Sequence, residues 1–292
     1  MPEFGVLTLA TDNDYLKAIG LALSLRVTNP AVPLAIACNA SVAEKAGRFF
    51  DHVIPEQAGL RGFVHKVYLD RYSPFERTLF LDSDVLVFKD LQPYVERWKG
   101  RAYCACGGYL SDGVSPFGLD RAMVLSKIGK DRLVFIDGAG HAYFEKPACV
   151  EVFETGRRVT EHYRELAGDI RYADEDVMAI AMTMLGLPPA SDWDFLARYL
   201  SARPGTMRMD ATAGVCEFIA ATTGRPFAPC IVHFAANEAA VPYTRQLLAL
   251  FEKFDAPTEG LWTQGVQDWW AWNVRLPVHR AATWARGRLG RA

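Results

Sequence analysis

No run in the sequence approaches the roughly 18 consecutive apolar residues of a membrane-spanning helix, so none is expected. Neither sign of charge dominates. Lys and Arg total 32 against 34 Asp and Glu, a net charge of −2, and this balance offers no general affinity for nucleic acid. The six cysteines (Cys38, Cys104, Cys106, Cys149, Cys216, Cys230) include one C-x-C and no C-x-x-C, a poor pattern for zinc or thiol redox chemistry. Buried free thiols in a reducing compartment fit that scatter better. Met1 to Ala10 has no basic leader and no long apolar core, so no signal peptide is expected and the expected location is cytoplasmic. Low-complexity linkers and internal repeats are also missing. With 50% hydrophobic and 23% charged residues, the chain can bury a full core without disulfides, which excludes disorder and collagen-like structure.

What is present is an alternation of strand-like and helix-like segments. Gly5 to Ala10 reads as a buried strand, and Leu16, Ile19, Leu23 and Val27 recur at helical spacing until Asn29-Pro30. Pro33 to Cys38 is apolar again, Ser41 is a candidate N-cap for a helix to Phe50, and His52 to Ile54 reads as a short strand. Gly62 to Tyr72 reads as a helix, and Thr78 to Leu81 as the next buried strand. Later come a strand at Leu133 to Ile136, helices near Pro147 to Leu166 and Asp174 to Leu185, and a strand at Cys230 to Phe234. Largely apolar strands separated by helices predict an α/β domain with a mainly parallel sheet covered on both faces, over residues 1–258. Ligands of such sheets sit at the carboxyl ends of the strands. The segment after the first strand, Ala10-Thr11-Asp12-Asn13-Asp14-Tyr15, lacks G-x-G-x-x-G and speaks against a dinucleotide site.

Asp82-Ser83-Asp84 directly follows the apolar Leu79-Phe80-Leu81, which places two carboxylates at the carboxyl end of a central strand. In extended backbone, residues i and i+2 share a face, so both oxygens can converge on one divalent cation that bridges a diphosphate. The plainer alternative is a pair of aspartates that cap a turn.

The blocks Val6 to Tyr15, Lys66, Ser73 to Val87 and Ile231-Val232-His233-Phe234, in that order, resemble the signatures of family 8 GT-A glycosyltransferases, the glycogenin and lipopolysaccharide galactosyltransferase type. The resemblance spans roughly residues 4–254. It implies a GT-A fold and a metal-dependent transfer of sugar from a nucleotide-sugar, UDP-linked by family habit, to a hydroxyl of a saccharide or glycolipid of the cell envelope, with retention of configuration. It also implies roles for particular residues. Asp82, Asp84 and His233 match the ligands of Mn²⁺ (or Mg²⁺), Thr11 and Tyr15 match the loop that receives the nucleotide base, and Lys66 matches a lysine that reaches the donor phosphates. Asp137, in Ile136-Asp137-Gly138, and Asp174, in Asp174-Glu175, match segments beside the donor sugar and are the candidate catalytic residues. Taken alone, His233 could be a core histidine, Tyr15 a packing residue, Lys66 a solvated lysine and Asp174 a helix N-cap.

The sequence departs from the family pattern at three places. Ile136 replaces the usual Asn, Glu175 replaces the usual Gln, and the residues after His233 lack the Gly and Lys of His-Phe-x-Gly-x-x-Lys-Pro. Acceptor contacts are expected within Gly107 to Gly118 or Asp192 to Arg208.

The end of the chain differs in kind. Residues 259–292 are expected to form a basic, Trp-rich C-terminal tail, and from Trp269 onward it holds Arg275, Arg280, Arg286, Arg288 and Arg291, four of the seven tryptophans and no acid. Indole rings at headgroup depth and guanidinium groups on anionic lipid suit peripheral contact with the inner face of a membrane. Two further function classes remain open from sequence. A haloacid-dehalogenase-like phosphatase would use Asp82 as nucleophile and Asp84 as acid, and a non-catalytic protein of the same fold would bind nucleotide without turnover.

Overall fold

The structure, a computed structural model, describes residues 3–11, 14–137, 140–234 and 240–275. The first half builds the sheet: β1 (Phe4–Ala10), α1 (Tyr15–Thr28), β2 (Leu34–Cys38), α2 (Ala40–Ala46), β3 (His52–Pro55), α3 (Leu69–Tyr72) and β4 (Arg77–Leu81). β3, β2, β1 and β4 lie side by side and all parallel, with β1 flanked by β2 and β4. The turn after β4 leads to β5 (Val85–Val87) and α4 (Gln92–Trp98). There follow β6 (Tyr103–Cys104), β7 (Gly107–Leu110), α5 (Arg121–Ile128), β8 (Leu133–Ile136) and β9 (His141–Glu145). β9 runs antiparallel to β4 and carries β6 at the sheet edge, completing the order β3-β2-β1-β4-β9-β6.

Alternation along the strands explains why both faces are covered. Leu7 and Phe80 point into one core with Val152 and Phe153 of α6 (Val150–Glu161) and Val177 and Met178 of α8 (Asp174–Leu185), with α7 (Tyr163–Ala167) between those helices. Val6, Leu79 and Leu81 point the other way, onto Leu21 and Leu25 of α1. Central strands buried on both faces must be apolar throughout, which is why they are legible as continuous runs. Gly5 marks one close approach: a Cβ there would lie 2.4 Å from the fully buried Phe75 ring.

The remaining strands form small sheets: β10 (Leu196–Arg198), the meander β11 (Arg208–Asp210), β12 (Val215–Ile219) and β13 (Pro226–Phe227), and β14 (Ile231–His233). β14 pairs with β10 in parallel and with β5 in antiparallel register. α9 (Ala240–Lys253) covers α1, and α10 (Leu261–Trp270), with Leu261 and Gly265 buried, packs on α9 and is tied to α1 by a Lys17–Asp268 ion pair at 3.6 Å. Among the described residues no helix is long and apolar enough to cross a membrane. All six cysteines are buried and unpaired.

Three local expectations need correction. The cap of α2 is Asn39, whose side chain accepts from Val42 N at 3.0 Å, so the helix starts before Ser41. Gly62–Tyr68 is a 3₁₀ helix that becomes α-helical only at Leu69, because apolar spacing alone does not separate the two helix types. The helix expected over 147–166 divides into α6 and α7 at His162.

Candidate functional site

The carboxyl ends of the adjacent parallel strands β1 and β4 open on the same edge, and this brings Thr11, Asp14 and Tyr15 and the Asp82 to Asp84 turn to one side of the sheet. Asp82-Ser83-Asp84 is not extended, as the sequence suggested, but a tight turn in which Val85 N donates to Asp82 O at 3.1 Å. The turn is held on both flanks: Asp82 N donates to Gly140 O at 2.9 Å, and Phe234 N donates to Asp84 O at 3.1 Å. Pairing of β14 with β5 sets His233 opposite Val85, and the ring's Nε2 lies 3.2 Å from Asp84 Oδ1 and 3.9 Å from Asp82 Oδ2. Gly140 permits that approach, since a Cβ there would lie 3.0 Å from the His233 ring.

One ligand atom from each of Asp82, Asp84 and His233 lies within 4.8 Å of the others. Two carboxylate oxygens and one imidazole nitrogen at this spacing could hold a divalent cation. The electrostatics agree: burial pushes the Asp82 carboxyl above its ordinary range, opposed by Lys66 and His233 and reinforced by Asp84 and Asp174. An ion beside it would favour its charged form.

Lys66, which the sequence placed on a helix, is drawn inward between two acids. Its Nζ is 2.9 Å from the Asp82 carboxylate and 3.1 Å from Asp174 Oδ2. Burial works against its charge, but Asp174 and Asp82 outweigh that and raise its pKa above the ordinary lysine value. Asp174 is the first residue of α8 rather than its N-cap; Ala173 occupies the cap position, and the carboxylate of Asp174 turns to Lys66. Thr11 Oγ1 donates to Asp14 Oδ2 at 2.8 Å, and Tyr15 opens α1 with Lys45 Nζ 4.9 Å from its ring centre. Asp137 lies beyond the end of β8, exposed, with its N–H donated to Cys106 O at 2.8 Å. Gly138 and the segment 235–239, where the Gly and Lys of the family pattern are missing from the sequence, lie outside the described residues, as do 276–292 of the tail.

Three further residues line the site beside those assigned roles from the sequence. A small cavity of about 20 Å³, room for roughly one water, is lined by Lys66, Tyr103, His141, Asp174 and Glu175 together with apolar side chains. Burial, reinforced by Asp176 and Asp174, pushes Glu175 up to about 8, so its carboxyl is protonated at neutral pH. It then carries one O–H donor beside a carbonyl acceptor and no negative charge. Burial, with His233 adding to it, pushes His141 down to about 3, so the ring is neutral. Its Nε2 accepts from Cys106 N at 2.8 Å, which leaves the ring proton on Nδ1. The Asp-Glu departure pointed at Glu175, whereas no spacing in the sequence marked His141 or Tyr103.

The sequence matches no protein-family model and no curated protein. Solved structures do match. The apo bifunctional glycosyltransferase WbbM aligns with a TM-score of 0.57 at 12% identity over 90% of this chain and 52% of its own, so the present chain spans about half of that enzyme. The galactosyltransferase LgtC, solved with donor and acceptor sugar analogs, aligns with a TM-score of 0.57 at 16% identity over 89% of this chain and 99% of its own. An active-site mutant of LgtC gives 0.55 at 17% identity over 88% and 98%. These alignments give this chain the GT-A glycosyltransferase fold, with its Asp-Asp-His group at the carboxyl edge of the sheet.

Proposed function

We propose that this protein is a metal-dependent glycosyltransferase of the family 8 type. It moves a sugar from a nucleotide-sugar, UDP-linked, to the hydroxyl of a saccharide or glycolipid, with retention. The observation that carries the reading is the convergence of Asp82, Asp84 and His233 at a strand end where the GT-A fold presents a donor. Those three residues would hold a divalent cation whose charge offsets that of the departing diphosphate.

The other residues divide the remaining work. Lys66, fixed between Asp82 and Asp174, supplies a permanent positive charge at the diphosphate side. Asp174 supplies a carboxylate near the sugar, where positive charge grows as the bond to the leaving oxygen lengthens, and Asp137 stands further out on the same edge. The acceptor oxygen bonds to the anomeric carbon as the carbon–oxygen bond to phosphate breaks. The electron pair leaves with the nucleoside diphosphate, and the hydroxyl proton passes to a diphosphate oxygen. Glu175, neutral, offers a hydrogen bond without adding a further negative charge beside the leaving group.

Contact with an anionic membrane through 269–292 belongs to the same reading. Trp262, Trp269 and Trp270 are 58%, 42% and 57% exposed on α10, and the sequence beyond adds five arginines and no acid. The decisive test is a thermal-shift and calorimetric screen of UDP, GDP, CDP and ADP with and without Mn²⁺, on the native chain and on Asp84→Ala. Stabilisation by one nucleotide that needs the metal and disappears in the variant supports the donor site. No nucleotide binding under any metal refutes it, and Mg²⁺-dependent release of phosphate from a phosphomonoester would put the phosphatase reading in its place.

A further inference from the structure

A second cavity, of about 480 Å³, opens beside Asp137, within the volume range of small-molecule sites. Its walls are the segment from Trp193 to Ser201 and the turn Ala220 to Thr223 between β12 and β13. Arg198 lies on it too, and β10 sets Arg198 in register with His233 of β14. One end of the cavity is therefore a single strand spacing from the Asp-Asp-His group.

The presentation of Trp193 is what gives this cavity meaning. Asp192 accepts from Arg97 Nε and from Trp98 Nε1, each at 2.7 Å, and Asp194 accepts from the Tyr94 hydroxyl at 2.9 Å. The backbone of Asp194 is pinned as well, its carbonyl accepting from Cys230 N at 3.0 Å. Between these two anchored residues, Trp193 remains 52% exposed, and Leu200 on the same wall is 54% exposed. An indole left in water on a segment fixed at both sides gains neither burial nor freedom. It is a preorganised contact surface.

The lining chemistry selects the ligand. Ser201, Thr222 and Thr223 bring hydroxyls, while Arg198 and Asp137 bring opposite charges that cancel. A phosphate-rich ligand would meet no net positive charge here. A sugar ring, with one apolar C–H face for the indole and hydroxyls around its edge, satisfies both kinds of wall. We propose that this cavity binds an uncharged saccharide, the acceptor of the transfer, with one ring stacked on Trp193 and the accepting hydroxyl presented at the Asp137 end. This assignment rests on the glycosyltransferase reading for the word acceptor, though not for saccharide binding itself.

The test uses the intact chain, with maltotriose, lactose and chitotriose as probes in saturation-transfer NMR and tryptophan-fluorescence titrations. At least one probe is expected to bind, with affinity reduced about tenfold or more in Trp193→Ala and less than about threefold in Trp193→Phe. UDP affinity in the presence of Mn²⁺ should stay within about twofold of the native value in both variants, which shows that they fold. Binding by none of the probes, or equal binding by Trp193→Ala, overturns the proposal. The two readings fail separately: saccharide binding without nucleotide binding would refute the transferase, and nucleotide binding without saccharide binding would refute this site.

Discussion

Replacing Lys66 with Met tests the electrostatic design of the site through stability alone. The side chains of Lys66, Asp82 and Asp174 are 12%, 17% and 14% exposed, and the ammonium is the shared counter-charge of both acids. Methionine keeps most of the volume and removes the charge, leaving two nearly buried carboxylates facing each other. Breaking a buried pair from one side costs about 3–5 kcal/mol. At about 2.1 cal/mol/K per residue, unfolding of a chain this size carries an entropy of about 0.6 kcal/mol/K, so Tm should fall by about 5–8 °C without metal. Two further responses separate this from a packing defect. Mn²⁺ should raise the Tm of Lys66→Met more than that of the native protein, because a cation meets carboxylates that have lost their partner. The deficit should also shrink as pH falls, since protonation of Asp82 removes the uncompensated charge. Differential scanning fluorimetry over a pH and Mn²⁺ matrix reads all three effects. A loss under about 2 °C, or a loss insensitive to both pH and Mn²⁺, would refute the reasoning.

Glu175→Gln should change the pH dependence of stability. The folded protein holds a proton on Glu175 up to about pH 8, whereas the unfolded chain releases it near the ordinary value of 4.5, so native stability falls as pH rises through that window. The amide cannot ionise, and the Tm of the variant should gain on the native Tm from pH 5 to pH 8; parallel curves would contradict the assignment of a neutral carboxyl. Gly5→Ala places a methyl 2.4 Å from the fully buried Phe75 ring. Overpacking of about 1–3 kcal/mol should lower Tm by about 2–5 °C, and a shift below 1 °C would show that the strand yields.

The first half of the fold was legible because burial on both faces forces continuous apolar runs: Val6 to Ala10 and Thr78 to Leu81 carry their own assignment. Of the small sheet around the site only β14 was, as the strand expected at Cys230 to Phe234. β5, β10 and β14 have three residues each, and their mutual pairing joins segments far apart in sequence, which no local pattern records. Asp82 and Asp84 were visible at a strand end, but the turn that aims them was not, since its geometry depends on hydrogen bonds to Gly140 and Phe234. His233 reached the site list through resemblance, and Val85 pairing is its physical reason. Lys66 read equally well as a solvated lysine until the 3₁₀ helix rotated it between two acids.

The six buried thiols carry a practical consequence. Burial raises every one of them, Cys38 and Cys149 to about 11 and Cys104, Cys216 and Cys230 to about 12, with Cys106 higher still, so almost none is thiolate at neutral pH. A maleimide dye should stay silent on the folded chain and react only on global opening. The native protein is in effect cysteine-free towards electrophiles. A single cysteine introduced at Trp193, or in the arginine-rich end, could carry a fluorophore to that place alone, with no need to mutate the native six.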